Sequence, residues 1–464
     1  MSEAAVRVRT AIEGGQTPGA PTLSPAALRD LPACPPTAAN VAPTAKRSPG
    51  LIPLQGGLRN ELAKIGIEMP KGERGNRVLR NLDKWVGVPL LLLLGLLSQS
   101  RVRRKCPEKA TRIGLLMLGV IGDSLLASAI ADDLKQRYPG AVVIGFMTDA
   151  NRATSEILSG IDEYIFLSIA DPFEAMRTVR KHPLDILIDC SQWARIGALL
   201  SFVARSKFKV GFKTPRQYRH FLYDACAVHR GDQHELENFR DLARCLAINP
   251  TGTPKLRAEL KDIPVPQLPQ TPYIVFHPWA SGYRHELREW SLDKWTELGR
   301  AVIREGYYVV VSGGPSDREQ SLNLAASIGV RTLVLAGDAS LPQTIAALAR
   351  AAAVVAVNTG TMHLVAALDI PLVALHGPTD PARWGPLSSR VDVLGPGKGE
   401  GGAYLNLGFE YPPAAPDCMS KIATTDVLAS LRKLLSNVDK FDAARGQVAG
   451  ASIVQNVLHD SPSH

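Results

Sequence analysis

Two junctions in this 464-residue chain hold the residue types best suited to chemistry, each joining a predicted strand to a predicted helix. The first is Leu118-Gly119-Val120-Ile121-Gly122-Asp123-Ser124. Its two glycines permit a tight turn and the close approach of another molecule to the backbone. Asp123 then stands at a helix start, projecting from the carboxyl end of a sheet, where ligands bind in open α/β folds. A carboxylate placed there can take a proton from a substrate hydroxyl. It can equally be a plain helix N-cap, and spacing alone leaves both readings open. The third glycine of a dinucleotide fingerprint is missing, and no acidic residue stands clearly at the end of the second strand.

The second junction is Asn358-Thr359-Gly360-Thr361-Met362-His363. Free backbone N–H groups and the helix dipole make such a place a phosphate site. Gly360 lets the backbone approach a diphosphate, with Asn358, Thr359 and Thr361 around it. His363, in the first turn, is placed to donate to phosphate or ribose, or else is a satisfied structural histidine. Three further loops follow strands. His277-Pro278-Trp279-Ala280-Ser281 leads into Arg284, His285 and Arg288; the arginine guanidinium groups suit a departing diphosphate, or else this is a solvated loop with ordinary surface arginines. Ser281 is a candidate contact there. In Gly313-Gly314-Pro315-Ser316-Asp317, Asp317 is either a ribose ligand or a helix N-terminal acid. In Leu375-His376-Gly377-Pro378-Thr379-Asp380-Pro381 the turn residues fix a rigid loop, and Thr379 and Asp380 either bound a ligand cleft or cap that loop.

Alternating elements must position these loops. Strands are predicted over 112–118, 142–147, 164–167 and 185–189, with helices over 124–137, 153–158 and 172–181. A proline-rich stretch, 254–272, reads as an interdomain linker. The alternation then restarts, with strands over 273–277, 307–312, 331–335, 354–357 and 372–375 and helices over 292–305, 316–328, 341–351 and 361–368. Such alternation predicts two doubly wound Rossmann-like α/β domains, over 110–262 and 270–438. Residues 1–80, rich in Pro and Ala with a short helix near 58–67, and residues 439–464 read as loose tails.

Composition is that of a globular protein, 45% apolar and 21% charged. The net charge of +9 is carried by residues 1–110, with 17 Lys and Arg against 8 Asp and Glu. That bias suits an anionic membrane surface better than a nucleic-acid groove, and no nucleic-acid-reading motif is present. Six cysteines without a Cys-x-x-Cys pair argue against a zinc ribbon and a dithiol redox site. No signal peptide opens the chain. The apolar run from Trp85 to Leu97 is too short to span a bilayer, which takes roughly 18–20 residues. With Lys84 before it and Arg101, Arg103, Arg104 and Lys105 after it, segment 81–109 reads as a helix in a membrane interface or one packed on the next domain.

Taken together and in this order, the motifs resemble glycosyltransferase family 9, the ADP-heptose:lipopolysaccharide heptosyltransferases, from about Arg112 to about Leu435. The most specific stretch runs from Asn358 to Pro386, supported by the Gly119–Asp123 turn, Arg288-x-Trp290, and Cys418-Met419 with Ile422. The resemblance implies a GT-B fold and an inverting, metal-independent enzyme without cofactor. It implies Asp123 as general base, Thr359, Gly360 and His363 at the diphosphate, a nucleotide-sugar donor such as ADP-heptose, and a lipid-linked glycan acceptor of lipopolysaccharide-core type. Few cysteines suit reduced thiols in a cytosolic setting, and the basic segment at 84–105 would hold such an enzyme peripherally on the inner face of the cytoplasmic membrane. Arg288, Asn358 and Trp279 stand where the family commonly has Lys, Asp and Gly. The rival classes are a sugar-nucleotide epimerase, an NAD-dependent oxidoreductase, and a non-catalytic sugar-nucleotide-binding protein.

Overall fold

The computed structural model describes Trp85 and residues 87–99, 104–192, 194–215, 217–406 and 411–436. The expected tails over 1–80 and 439–464, with the short helix near 58–67, lie outside these residues, as do Lys84, Arg101 and Arg103.

The chain enters through α1 (Gly87–Gln99). The first domain follows with β1 (Arg112–Leu116), α2 (Ile121–Ser128), α3 (Ile130–Arg137), β2 (Val142–Thr148), β3 (Glu163–Leu167), α4 (Pro172–Lys181), β4 (Leu184–Asp189), α5 (Arg195–Val203), β5 (Ser206–Lys213), β6 (Ala225–Val228) and α6 (Glu235–Arg244). The second has β7 (Tyr273–His277), α7 (Leu292–Arg304), β8 (Tyr308–Val311), α8 (Arg318–Ile328), β9 (Thr332–Val334), α9 (Leu341–Ala349), β10 (Ala353–Val357), α10 (Gly360–Leu368), β11 (Leu372–Leu375), α11 (Pro381–Trp384), β12 (Val391–Leu394) and α12 (Thr424–Ser436).

Both sheets are parallel and six-stranded, in the orders β3-β2-β1-β4-β5-β6 and β12-β11-β10-β7-β8-β9. Counted within each domain, the two orders are the same Rossmann order. Each therefore reverses direction between its first and fourth strands, and the crevice at that switch point is where such sheets take ligands. All six residues of β4 and all five of β10 are buried, as expected of strands covered by helices on both faces. This is the two-domain GT-B architecture.

Some local expectations change. The helix expected over 124–137 starts at Ile121 and is divided at Ala129 into α2 and α3. Gly252 packs there so closely that a β-carbon on it would lie 2.0 Å from the Ala129 carbonyl oxygen. The helix expected over 153–158 is a 3₁₀ turn at Arg152–Glu156. Strands β5, β6 and β12 and helices α5, α6 and α12 had no assignment from sequence.

The proline-rich stretch is tied down at both ends. Leu256 bridges Leu158 of the first domain, and Arg350 of the second donates to the Lys261 and Ile263 carbonyls at 3.0 and 2.8 Å. Beside it, residues 265–273 and 350–352 line a cavity of about 570 Å³. This cavity lies at the amino ends of β7 and β10, opposite the switch-point crevice, and takes no part in the site below.

Candidate active site

The first junction is shaped by α2. Asp123 is the third residue of that helix and is buried. Its Oδ2 accepts the Val120 backbone N–H at 3.2 Å, one of the donors that a helix start leaves unpaired. Capping is thus part of its role. Its Oδ1 accepts the Gln192 side-chain N–H, also at 3.2 Å. Gln192 follows β4, and β4 lies beside β1 with Leu116 opposite Asp189. Two residues 69 apart in sequence meet because the switch point sets their loops side by side.

In the second domain the same logic joins the loops after β7 and β10. Ser312 gives its hydroxyl proton to the Phe276 carbonyl at 3.2 Å, so His277 Nδ1 donates to Ser312 Oγ at 3.0 Å and His277 Nε2 accepts from Thr361 Oγ1 at 3.1 Å. Thr361 therefore buttresses the start of α10. Thr359 is its N-cap residue, and its Oγ1 is buried with no hydrogen-bond partner among the described residues. Asn358 donates from its amide to His376 Nδ1 at 2.9 Å and to Thr379 Oγ1 at 2.7 Å. An amide can donate both bonds, one to a neutral histidine and one to a hydroxyl oxygen, whereas an ionised carboxylate there could only accept.

Gly122 and Gly360 bring the two domains into contact. A β-carbon on Gly122 would lie 3.2 Å from the Gly360 α-carbon and 3.3 Å from the His363 ring. A β-carbon on Gly360 would lie 3.0 Å from the Gly122 nitrogen. The backbone that each glycine admits in this structure is that of the other domain. His363 is buried between them; burial first, then the neighbouring His234 and His376, hold its pKa down to about 3, against the pull of Asp123. Burial likewise holds His277 and His376 at about 4. The three imidazoles are neutral at physiological pH, and so act as hydrogen-bonding groups rather than charges.

The remaining candidates lie around this centre. Arg288, in a 3₁₀ turn at His285–Arg288, donates to the Ser281 carbonyl, while its Nε has no partner among the described residues. Glu289 closes the same loop by accepting the Ala280 N–H at 2.9 Å. The Ser281 side chain is exposed. Trp279, where the family commonly has Gly, points into the domain rather than towards the crevice loop's surface. It is buried, donates to Ser321 Oγ at 2.7 Å and packs beneath Gly313. Asp317 accepts the Gly314 N–H at 2.7 Å, the bond of a helix N-terminal acid. Asp380 caps α11 through the Ala382 N–H and pairs with Lys398 at 2.7 Å.

That cap aims Arg383 across the interface. Arg383 Nη2 and Nε reach Glu235 Oε2 of the first domain at 2.9 and 3.2 Å, and the pair is fully buried. His229 and Asn238 donate to the same carboxylate at 2.8 and 3.1 Å, and His234 Nε2 donates to the Gly385 carbonyl at 2.9 Å. Sequence reasoning missed Gln192, His229, His234, Glu235 and Arg383. Arg383 and Glu235 are 148 residues apart, and no local pattern links them. Among the described residues no three His, Cys, Asp or Glu side chains come together as metal ligands.

Comparisons with known proteins bear on the fold and the family. Residues 173–401 match the model of "Glycosyltransferase family 9 (heptosyltransferase)". Lipopolysaccharide heptosyltransferase 2 of Salmonella typhimurium is 36% identical over 129 residues, 27% of this chain and 36% of that protein, so the match spans about a third of the relative's length. Lipopolysaccharide heptosyltransferase 3 of Escherichia coli K12 is 25% identical over 341 residues, 68% of this chain and 95% of that protein. The structure of E. coli ADP-heptose lps heptosyltransferase II superimposes with a TM-score of 0.60 at 24% identity, covering 71% of this chain and 100% of that one, a likeness of fold. The family match begins in α4 of the first domain and continues beyond β12 of the second, so it takes in Gln192 and Gly360 and starts after Asp123; over these residues the chain is similar to glycosyltransferase family 9.

Proposed function

We propose that this protein transfers a heptose-type sugar from a nucleotide donor, with ADP-heptose the first choice, to a lipopolysaccharide-core or related lipid-linked glycan, inverting the anomeric centre without a metal. The observation that carries the reading is the juxtaposition of Asp123 with the amino end of α10 at the Gly122–Gly360 contact. The acceptor hydroxyl gives its proton to Asp123 and its oxygen bonds to the anomeric carbon, while the bond from that carbon to the diphosphate oxygen breaks. The nucleoside diphosphate departs with that electron pair. Its charge is met by the free N–H groups at the start of α10, by the unpaired Thr359 hydroxyl and by Arg288. Neutral His363 donates a hydrogen bond.

The test is transfer by Asp123→Asn, which keeps the shape and removes the base. General-base removal costs about 10²–10⁴ in rate. Binding of the nucleotide sugar, read by thermal stabilisation, stays within twofold. Transfer at the native rate, or loss of donor binding instead of turnover, refutes the assignment.

A position on the inner face of the cytoplasmic membrane belongs to the same reading. Helix α1 buries Leu91 against Ala198, Leu222 and Tyr223, and turns Leu92, Leu93 and Leu96 outward with Trp85. Exposed Arg104 and Lys105 follow, and the exposed leucines with these charges support the reading. Among the described residues no helix is long and apolar enough to cross a membrane. Withdrawing a leucine side chain from water contributes about 1.5–3 kcal/mol when complete. Changing Leu92, Leu93 and Leu96 to Ser should therefore weaken sedimentation with phosphatidylglycerol vesicles by at least an order of magnitude. Unchanged sedimentation removes α1 from the reading.

A further inference from the structure

We infer that Gln192 is a positioning residue for Asp123, held in place by a buried Asp189–Arg219–Ser191–Tyr223 network behind it. This rests on Asp123 acting as the base. Gln192 is buried and donates to Asp123 Oδ1 at 3.2 Å, while Val120 N–H serves Oδ2 at the same distance. With a donor on each oxygen the carboxylate plane is fixed.

Gln192 is itself pinned through the backbone. Thr214 Oγ1 donates to its carbonyl at 2.6 Å. Arg219 Nη1 donates to the Ser191 carbonyl at 2.5 Å, and the Ser191 N–H donates to Asp189 Oδ1 at 2.9 Å. Arg219 Nη2 and Tyr223 OH close on Asp189 Oδ2 at 2.8 and 2.5 Å. Asp189 and Arg219 have no exposed surface. Two glycines make room for the network. A β-carbon on Gly197 would lie 2.1 Å from Ser191 Oγ, and one on Gly211 would lie 2.4 Å from the Tyr223 ring.

A buried ion pair is seldom more stabilising than apolar residues of the same volume. What this one secures is the placement of the turn after β4, and that turn delivers one side chain, Gln192, to the carboxylate in the first turn of α2. The network sits where the proposed proton transfer needs rigidity, and its members are drawn from the end of β4, the turn after it, the 3₁₀ turn at Arg219–Leu222 and the residue after that.

Gln192→Met and Gln192→Glu separate this role from packing. Met keeps the bulk and loses the donor. Glu keeps the shape but sets a second carboxylate against Asp123. Single-turnover transfer at saturating donor should fall by about 10²-fold in Gln192→Met, the loss expected when a reacting group is misplaced. It should fall further in Gln192→Glu. Donor binding should stay within twofold in both, and the melting temperature close to native in Gln192→Met. A packing role predicts the reverse order, with Glu tolerated better than Met. Glu at or above Met, or both at the native rate while Asp123→Asn is inactive, overturns the inference alone. Full activity in Asp123→Asn overturns the base assignment and this inference with it.

Discussion

Arg383→Met tests whether the two domains are joined by charge or only by shape. In the native protein Glu235 is fully buried and receives Arg383, His229 and Asn238. Methionine fills most of the space of the arginine stem and leaves the carboxylate with two donors and no cation. Breaking a buried pair from one side costs about 3–5 kcal/mol, because the surviving charge is stranded away from water. Removing both charges, as in Arg383→Met with Glu235→Met, costs less than the two single changes added together. The difference is a coupling energy of at least about 1 kcal/mol, at the scale seen for residues sharing one network. Guanidinium unfolding followed by tryptophan fluorescence gives these numbers. Because the pair crosses the interface, the single variants should also separate one transition into two and lower the apparent slope, as each domain exposes its own surface independently. A loss below about 1 kcal/mol in Arg383→Met, or strict additivity in the double variant, refutes the argument from burial and shows that shape and the Gly122–Gly360 contact suffice.

Two other outcomes follow from the same contacts. Gly360→Ala gains up to about 1 kcal/mol of helix propensity but must push a β-carbon into the Gly122 nitrogen, and overpacking costs about 1–3 kcal/mol. Reduced thermal stability with weaker donor binding is expected, and a more stable protein would deny the close contact. The buried histidines set the acid limit. His277 and His376 are held at about 4 and His363 at about 3, all below the usual 6.5, so the unfolded chain binds more protons below pH 6.5. The stability they contribute is complete above pH 6.5 and is lost as pH falls from there towards 4 and 3. Calorimetry in buffers of different ionisation enthalpy should show uptake of up to about three protons on unfolding near pH 5, from these groups alone. A melting temperature unchanged between pH 7 and 5 would mean that these rings are not desolvated.

The sequence by itself determined the two-domain α/β plan and which loops stand at its switch points. Apolar runs at β10 and β11 and the glycines after β1 and β10 report local geometry, and local geometry is written in neighbouring residues. Asp123, Asn358, Thr359, Gly360, Thr361 and His363 were legible for that reason. Weakly patterned segments were not. Strand β5, Ser-Lys-Phe-Lys-Val-Gly-Phe-Lys, keeps an internal lysine whose ammonium donates to the Phe202 carbonyl, and β12 is a four-residue edge strand. Only the tertiary structure decided what each loop residue meets. The order of strands, which sequence alternation does not specify, puts Gln192 against Asp123 and His277 against Thr361. The packing of one domain on the other turns Gly122 and Gly360 towards each other and makes Glu235 the partner of Arg383. Contacts across more than a hundred residues are set by burial and by the crossing of whole sheets, and such long-range terms leave no periodic mark in the chain.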